Sequence, residues 1–421
     1  LIRNSLRCHF IITIPSLYSF FIHKIKPEKR FFLNLFYLLV NKMGKKLLVV
    51  GYGASGSNLV AMMAAKKQCD ITILTATDYM EVPLSMTSVL AAGPEAHSKV
   101  LFPLLQEPGC QIIQGIAASV TDSSLTTTTG QVIPFDICVL ATGQEIPTYM
   151  PDPVTEGSIS TRKANIEALH DKIKAAKTIV ISGGGPLGCE TAADIQLRFR
   201  DKQVILVHPR DNILHTMHWG LPEFGTKTLQ NMGVKLILND KVTDYNSSNN
   251  TVTLASGKTV PSCDLYIPAH ATGGGNCKFL PPHSQINGYA KVNKKTFLVN
   301  GFENVFAIGD CSTIDNIKLM MKVEEQASHM CKNIGKKLSG EPLAEYSPGF
   351  KGSVQGPGIV SLGHDHPDAV ALGPDLGEGF MGWLVFVFLG WCGPPGGKKM
   401  AQVKSKFNAS VTPKLGKGLS D

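Results

Sequence analysis

The chain has 421 residues, room for two or three domains, and 43% of them are hydrophobic, enough for a large core. Its formal net charge of +8 belongs to the ends: residues 1–42 carry +6 and residues 393–421 carry +5, which leaves −3 on the body. Such a body is a poor surface for nucleic acid, and nucleic-acid binding through the ends is the weakest reading. Ten cysteines occur without a CxxC pair and without histidine at metal-ligand spacing. The expectation is core thiols in a reducing compartment, no metal site and no dithiol–disulfide exchange.

Residues 1–42 are rich in Phe, Leu and Ile, and the first methionine is Met43. They read as a leader outside the core, either upstream sequence or a targeting segment whose apolar region is Cys8 to Ile22. His9, Pro15 and the short length make that region a poor membrane span. A start at Met43 would offer Gly44 for myristoylation, but Leu48 stands where the motif needs Ser or Thr.

The chain is organised around Leu47 to Thr75. A buried-strand run, Leu47 to Val50, meets Gly51-Tyr52-Gly53-Ala54-Ser55-Gly56, then a helical segment and a second apolar strand, Ile71 to Leu74. This is the order of a dinucleotide-binding βαβ unit. Gly51 allows the turn, Gly53 lets the backbone approach a pyrophosphate, and Gly56 lets helix and strand pack closely. The phosphate charge would sit on the free N–H groups of the helix start. A lone copy is weak evidence. Thr178 to His208 repeats the pattern with Gly183, Gly185 and Gly188 and a second strand Val204 to Val207. Two copies in one chain suggest two dinucleotides facing each other.

The ends of the second strands differ from the usual pattern, in which a carboxylate bonds the adenosine ribose. In the first copy that place is Thr75, a weaker partner, with Asp78 as a ligand, a helix cap or a turn residue. In the second copy it is His208-Pro209-Arg210. The missing carboxylate and the nearby Arg210 make NADPH acceptable as well as NADH. Glu190, just after Gly188, is either a carboxylate favoured by the helix dipole or one that works near a nicotinamide.

Further along, Ser124 to Val132 reads as a hairpin, and Phe135 to Gly143 as a buried strand closing on Ala-Thr-Gly at Thr142 and Gly143. Glu167 to Ala175 reads as a helix. Leu221 to Leu238 reads as helix then strand, Thr251 to Val260 as a hairpin, and Asp264 to Ala269 as a second strand of the Thr-Gly kind. The Thr position there is His270 or Thr272. Asn304 to Cys311 is a buried strand ending in Gly309-Asp310, followed by a helix from about Lys318 to Lys337. Lys318 and Lys322 are candidate positive neighbours of an electron-rich cofactor, with a solvated helix face the better reading for Lys322, and Cys311 reads as a packed thiol without a partner. From Ser347 the chain turns Gly- and Pro-rich, and 380–391 is an apolar run with tryptophans, Trp383 and Trp391, followed by lysines. It is too short to span a bilayer. It suits a membrane surface or a lipid-quinone entrance, or a β-hairpin in a small C-terminal domain that covers a bound cofactor.

With GYGASG, DICVLATG, GGGPLGCE, DLYIPA and NVFAIGDC in this order, the sequence resembles the apoptosis-inducing-factor-like flavoproteins, in the branch that contains ferroptosis suppressor protein, close to the type II NADH:quinone oxidoreductases. The likeness runs from about Lys46 to Leu343. It implies an α/β fold with tandem Rossmann-like FAD and NAD(P)H domains and a small C-terminal α+β region. The expected division is 43–150 with 280–345 for FAD, 151–279 for NAD(P)H, and 346–421 as the C-terminal region. It implies FAD on Gly51, Gly53, Gly56, Thr142, Gly143 and Asp310, and NAD(P)H on Gly183, Gly185, Gly188 and Glu190. Ala54, Ser55, Thr75 and Gly309 join the first set as neighbours, and His208 and Arg210 the second. Glu190 and Lys318 are the candidate catalytic groups. The activity implied is hydride transfer from nicotinamide to flavin and electron delivery to a quinone-type acceptor. The alternatives are reduction of a one-electron acceptor and a low-turnover nucleotide-binding protein in cell-death signalling. The location expected is cytoplasmic, with a membrane surface or mitochondria as alternatives.

Overall fold

The computed structural model describes residues 44–82, 85–104, 106–217, 221–270, 274–315, 318, 321–347, 359–362 and 370–372. The expectations for the leader, for Thr272 and for 380–391 lie outside them.

The first unit starts with β1 (Lys46–Val50), α1 (Ala54–Lys66), β2 (Asp70–Thr75), β3 (Tyr79–Glu81), α2 (Met86–Ala92), β4 (Leu101–Pro103) and β5 (Cys110–Gln114). A small antiparallel sheet of β6 (Ala117–Val120), β7 (Ser124–Thr127) and β8 (Val132–Pro134) follows, then β9 (Ile137–Leu140) and β10 (Gln144–Glu145). The second unit holds α3 (Ile159–Ala175), β11 (Thr178–Ser182), α4 (Pro186–Arg198), β12 (Gln203–Val207), α5 (Leu221–Asn231) and β13 (Lys235–Ile237). It continues with a meander of β14 (Val242–Asn246), β15 (Thr251–Leu254) and β16 (Thr259–Val260), then β17 (Leu265–Pro268) and β18 (Gly274–Gly275). The described residues continue through β19 (Gln285–Ile286), β20 (Tyr289–Ala290), β21 (Val305–Ala307), α6 (Met321–Leu338), β22 (Ile359–Ser361) and β23 (Val370–Leu372).

Two parallel sheets carry the architecture. One runs β21-β9-β1-β2-β5, and the other β13-β12-β11-β17. Parallel strands are covered on both faces, which is why LLVV, ICVL, TIVIS and QVILV read as continuous apolar runs. The central strands β1 and β11 lie between the next strand in sequence and one that returns much later. The strand order therefore reverses between β1 and β9 and between β11 and β17, and the crevice beyond the carboxyl ends at such a reversal is where α/β sheets bind ligands. β10 and β18 pair antiparallel where the chain crosses between the sheets and returns.

The cores divide differently from a cut at residue 150. Tyr79, Met86, Val89, Leu90, Val100 and Leu101 share one apolar cluster with Ile179, Ile181, Ala192, Ala193 and Leu206, strands and helix of the second sheet. The reason is that α2 lays its apolar face on α4. Val360 and Leu362 join the same cluster, with β22 against α4 and β23 against α5. The helix before the second βαβ unit also begins eight residues earlier than Glu167. Ser158 caps it by accepting from Thr161 N at 3.2 Å, and Asp78 Oδ1 accepts from Ile159 N at 2.8 Å. Asp78 is thus a helix-start partner, which is one of its sequence readings. Asp78→Ala is expected to cost about 1 kcal/mol of unfolding free energy by urea titration, the usual loss for a capping carboxylate.

Candidate functional site

Three motifs far apart in sequence meet at the carboxyl edge of the first sheet. Gly51 N donates to Leu74 O at 2.7 Å and Ala141 N to Val50 O at 2.7 Å, which ties the glycine loop to both neighbouring strands. A Cβ on Gly51 would overlap the Ala141 carbonyl, a Cβ on Gly56 the Gly51 carbonyl, and a Cβ on Gly309 the Ser55 hydroxyl. Gly51-to-Gly56, Thr142-Gly143 and Gly309-Asp310 therefore form one surface. The second unit repeats it: a Cβ on Gly188 would overlap the Gly183 carbonyl, and one on Gly183 would crowd Ala269 O at 2.8 Å.

The middle glycines behave in the opposite way. A Cβ on Gly53 or on Gly185 would meet nothing within 4 Å. In each loop the outer glycines are filled by protein and the middle one faces open space. That open side is where a pyrophosphate would approach the backbone, beside the free N–H groups at the starts of α1 and α4. The residues present fit one dinucleotide per loop.

At the Gly309-Asp310 corner the structure adds groups that the sequence did not single out. Asp310 Oδ2 accepts from Gln144 Nε2 at 3.2 Å, and Gln144 Oε1 accepts from Tyr289 Oη at 3.1 Å. Lys318 donates to Ser312 O at 2.6 Å and lies 5.5 Å from the centre of the Tyr289 ring. Burial pushes the Asp310 carboxyl up, and the Lys318 charge and the Gln144 hydrogen bond oppose it. Burial likewise pulls Lys318 down against the charge of Asp310. Gln326, on α6, accepts from Gly309 N at 2.7 Å and donates to Asp315 at 2.8 Å, so it clamps the Gly-Asp turn. A cleft lined by Gly309, Asp310, Asp315, Lys318, Lys322 and Gln326 opens here. Gln144 directly follows Thr142-Gly143 and could have been read with that motif. Tyr289 and Gln326 carry no local signal.

Several expectations change. Lys322 is not a solvated helix face: its side chain is 19% exposed and its Nζ lies 3.9 Å from Asp315. Lys318 itself stands outside helical structure, and α6 is described from Met321 to Leu338. Cys311 has a partner. Its thiol reaches Ile308 O at 3.2 Å and the sulfur of Cys277, which itself contacts the Thr142 hydroxyl at 3.2 Å. Folding thus pairs two cysteines that spacing kept apart. Both are fully buried, and the Cys311 contact and burial push the Cys277 thiol well up. Thr75, read as a ribose ligand, is 4% exposed, and its hydroxyl closes a turn with Thr77 O and N at 3.3 and 3.4 Å.

In the second unit, Glu190 is half-buried in α4, near Tyr149, whose hydroxyl bonds Thr191 at 2.7 Å. Burial first, and the Glu190 charge with it, push the Tyr149 hydroxyl and the Cys189 thiol up. His208 is buried at the end of β12, and Gly184 N donates to its Nδ1 at 3.0 Å. Arg210 is exposed on the same loop. His270 is an exposed loop residue whose Nε2 lies 3.1 Å from the Ser182 hydroxyl. Among the described residues no helix is long and apolar enough to cross a membrane, and no cluster of three or more His, Cys, Asp or Glu could hold a metal.

The chain is similar to several known proteins. The chain is 31% identical over 226 residues to Oxidoreductase ptaL of Pestalotiopsis fici, a match that spans 52% of this chain and 59% of that protein. It is 28% identical over 238 residues to Ferroptosis suppressor protein 1 of Mus musculus, spanning 52% of this chain and 61% of the mouse protein. Apoptosis-inducing factor homolog B of Dictyostelium discoideum is 26% identical over 355 residues, 77% of this chain and 89% of that one. The sulfide:quinone oxidoreductase of Aquifex aeolicus superposes with a TM-score of 0.62 at 17% identity, over 78% of this chain and 83% of that one. Putidaredoxin reductase in its covalent complex with putidaredoxin gives 0.57 at 20% identity, over 76% and 83%. The family model for pyridine nucleotide-disulphide oxidoreductases matches residues 45–330, and with both glycine cradles in place the chain belongs to this family of FAD- and NAD(P)H-using oxidoreductases.

Proposed function

We propose that this oxidoreductase takes reducing equivalents from NAD(P)H and delivers them to a quinone-type acceptor. The observation that carries the reading is the doubled glycine cradle, each copy with its middle glycine open and its outer glycines packed. Bound FAD would accept a hydride from the nicotinamide and pass electrons on, so the protein's share is binding, orientation and electrostatics. The loop from Gly51 to Gly56, with Thr142, Gly143 and Asp310, would hold FAD. Asp310 would accept a hydrogen bond from its polyol chain, with Gln144 and Tyr289 fixing the carboxylate. Lys318 would hold positive charge beside the electron-rich reduced ring. The loop from Gly183 to Gly188 would hold the nicotinamide dinucleotide, with Glu190 at its edge.

A non-disulfide acceptor is supported by the thiols themselves. Among the described residues, Cys277 and Cys311 are enclosed, which bars a disulfide substrate from them, and burial pushes Cys69 and Cys110 up, which makes those two poor attacking groups at neutral pH. Residues 380–391 would bring the protein to a lipid surface where quinones reside. The test is anaerobic: protein reduced with NADH is mixed with a short-chain ubiquinone analogue, with ferricyanide and with an oxidised dithiol. Reoxidation by the quinone at least tenfold faster than by the dithiol supports the reading. Reoxidation by the dithiol alone contradicts it.

A further inference from the structure

The end of β12 holds a hydrogen-bond relay anchored on the second glycine loop. Gly184 N, inside the second loop, donates to His208 Nδ1 at 3.0 Å, and His208 Nε2 lies 3.2 Å from His215 Nδ1. The two rings are 5.1 Å apart. Leu214 N donates to Gly184 O at 2.6 Å, and a Cβ on Gly184 would meet His208 and Ile213 at 2.8 Å. The 208–217 segment is therefore wrapped against the loop, with His208 5% exposed and His215 exposed.

The donor order follows from chemistry. A backbone N–H can only donate, so His208 Nδ1 carries the lone pair and its proton sits on Nε2. That proton points at His215 Nδ1, which must accept, so the His215 proton also sits on Nε2, the far side of the ring. Charging His215 would put a proton on Nδ1, directly against the His208 N–H. His208 cannot reverse, because Gly184 holds its other nitrogen. The surrounding charges are Arg210 and Asp211 on the same segment. Across from it is Asp240, whose N donates to His208 O at 3.2 Å and whose carboxylate is engaged by Lys241 N and Ser256. Burial, then His215 and Arg210, hold His208 down at about 4.

We propose that His215 is a specificity-determining residue of the second dinucleotide site. The Gly184–His208–His215 relay presents it as an uncharged Nε2–H donor to the adenosine ribose oxygens of a nicotinamide dinucleotide. The inference rests on the reading of the second glycine loop as the nicotinamide-dinucleotide site, and goes beyond it by choosing between the nucleotides. An uncharged donor suits a ribose hydroxyl. A 2′-phosphate gains most from a cation, which the relay prevents His215 from becoming, so His215 tilts the site toward NADH against the pull of Arg210, exposed on the same segment.

The test uses the full chain with NAD and NADP as non-turning-over probes, read by calorimetry at pH 7.5 and 6. Wild type is expected to bind NAD more tightly. His215→Ala should weaken NAD about fivefold to tenfold, the loss of one hydrogen bond, with the visible flavin spectrum and the unfolding midpoint unchanged. His208→Asn keeps an acceptor for Gly184 N–H, while its shorter side chain leaves no donor where His208 Nε2 met His215, freeing His215 to charge. It should shift preference toward NADP about tenfold between pH 7.5 and 6, while the wild-type ratio moves much less and the His208→Asn, His215→Ala double variant does not shift. If NAD binds, is lost on Gly188→Ala, and is indifferent to both histidine changes, the inference falls and the site reading stands. If wild type binds neither nucleotide, both fall.

Discussion

Replacing Arg162 with leucine is expected to lower the unfolding free energy by about 3–5 kcal/mol, the cost of stranding buried charges. Arg162 is 4% exposed. Its Nε and Nη2 bond Glu81 at 2.8 and 3.0 Å, its Nη1 bonds both oxygens of Glu156 at 3.2 Å, and its Nη2 also donates to Tyr149 O at 3.1 Å. One guanidinium thus ties β3, the crossing segment and the first turn of α3 together, and Tyr79 Oη adds a bond to Glu156 O at 3.0 Å. Without it two carboxylates remain buried side by side. Lysine offers no planar fork and should recover only part of the loss. The pH dependence has a definite sign. Burial already pushes Glu81 up, with the Arg162 charge opposing. In the leucine variant that opposition is gone, so protonation relieves the site further. A raised folded-state pKa gives stability that is present at low pH and lost as pH rises through it. The deficit relative to wild type should therefore be smaller at pH 5 than at pH 8 in urea titrations. An equal deficit at both would mean that the carboxylates are not the cause.

Gly56→Ala and Gly188→Ala are the same lesion in two places, and they are expected to separate the two cofactors. In each case the added methyl meets a backbone carbonyl of its own loop, Gly51 or Gly183, which no rotamer change can relieve. The helix must move off the strand, and the phosphate cradle opens with it. Gly56→Ala should purify with at most a tenth of the wild-type flavin absorbance. Gly188→Ala should keep its flavin but need at least tenfold more NADH for half-maximal anaerobic reduction. Gly53→Ala and Gly185→Ala serve as contrasts: their methyls enter open space, so folding should be untouched and the loss confined to nucleotide affinity. A Gly188→Ala protein that reduces normally would remove the second loop from the site.

Much of this was legible in the sequence. The two GxGxxG strands and the Thr-Gly and Gly-Asp endings are local patterns fixed by backbone geometry, and each lies at the sheet edge where its pattern places it. The groups that surround them were not legible, because they are brought in by tertiary contact. Tyr289 reaches Gln144 across β20 and β10, Cys277 meets Cys311 across the core, and α2 leaves the first sheet's core to pack on α4. Lys322 looked solvated because a lysine on a helix usually is, and only the position of Asp315 corrects that. Thr75 stood where a ribose ligand belongs, but a short hydroxyl in a tight turn bonds its own backbone first.

The central claim is that the two cradles work together, one for a flavin and one for its reductant. The measurement that tests it most directly is the visible spectrum of the purified protein under anaerobic conditions, before and after one equivalent of NADH, then of NADPH. The account predicts an oxidised-flavin spectrum that bleaches with NADH, and more slowly with NADPH. A protein that stays colourless after incubation with FAD, or a flavin spectrum that neither nucleotide bleaches, would contradict it.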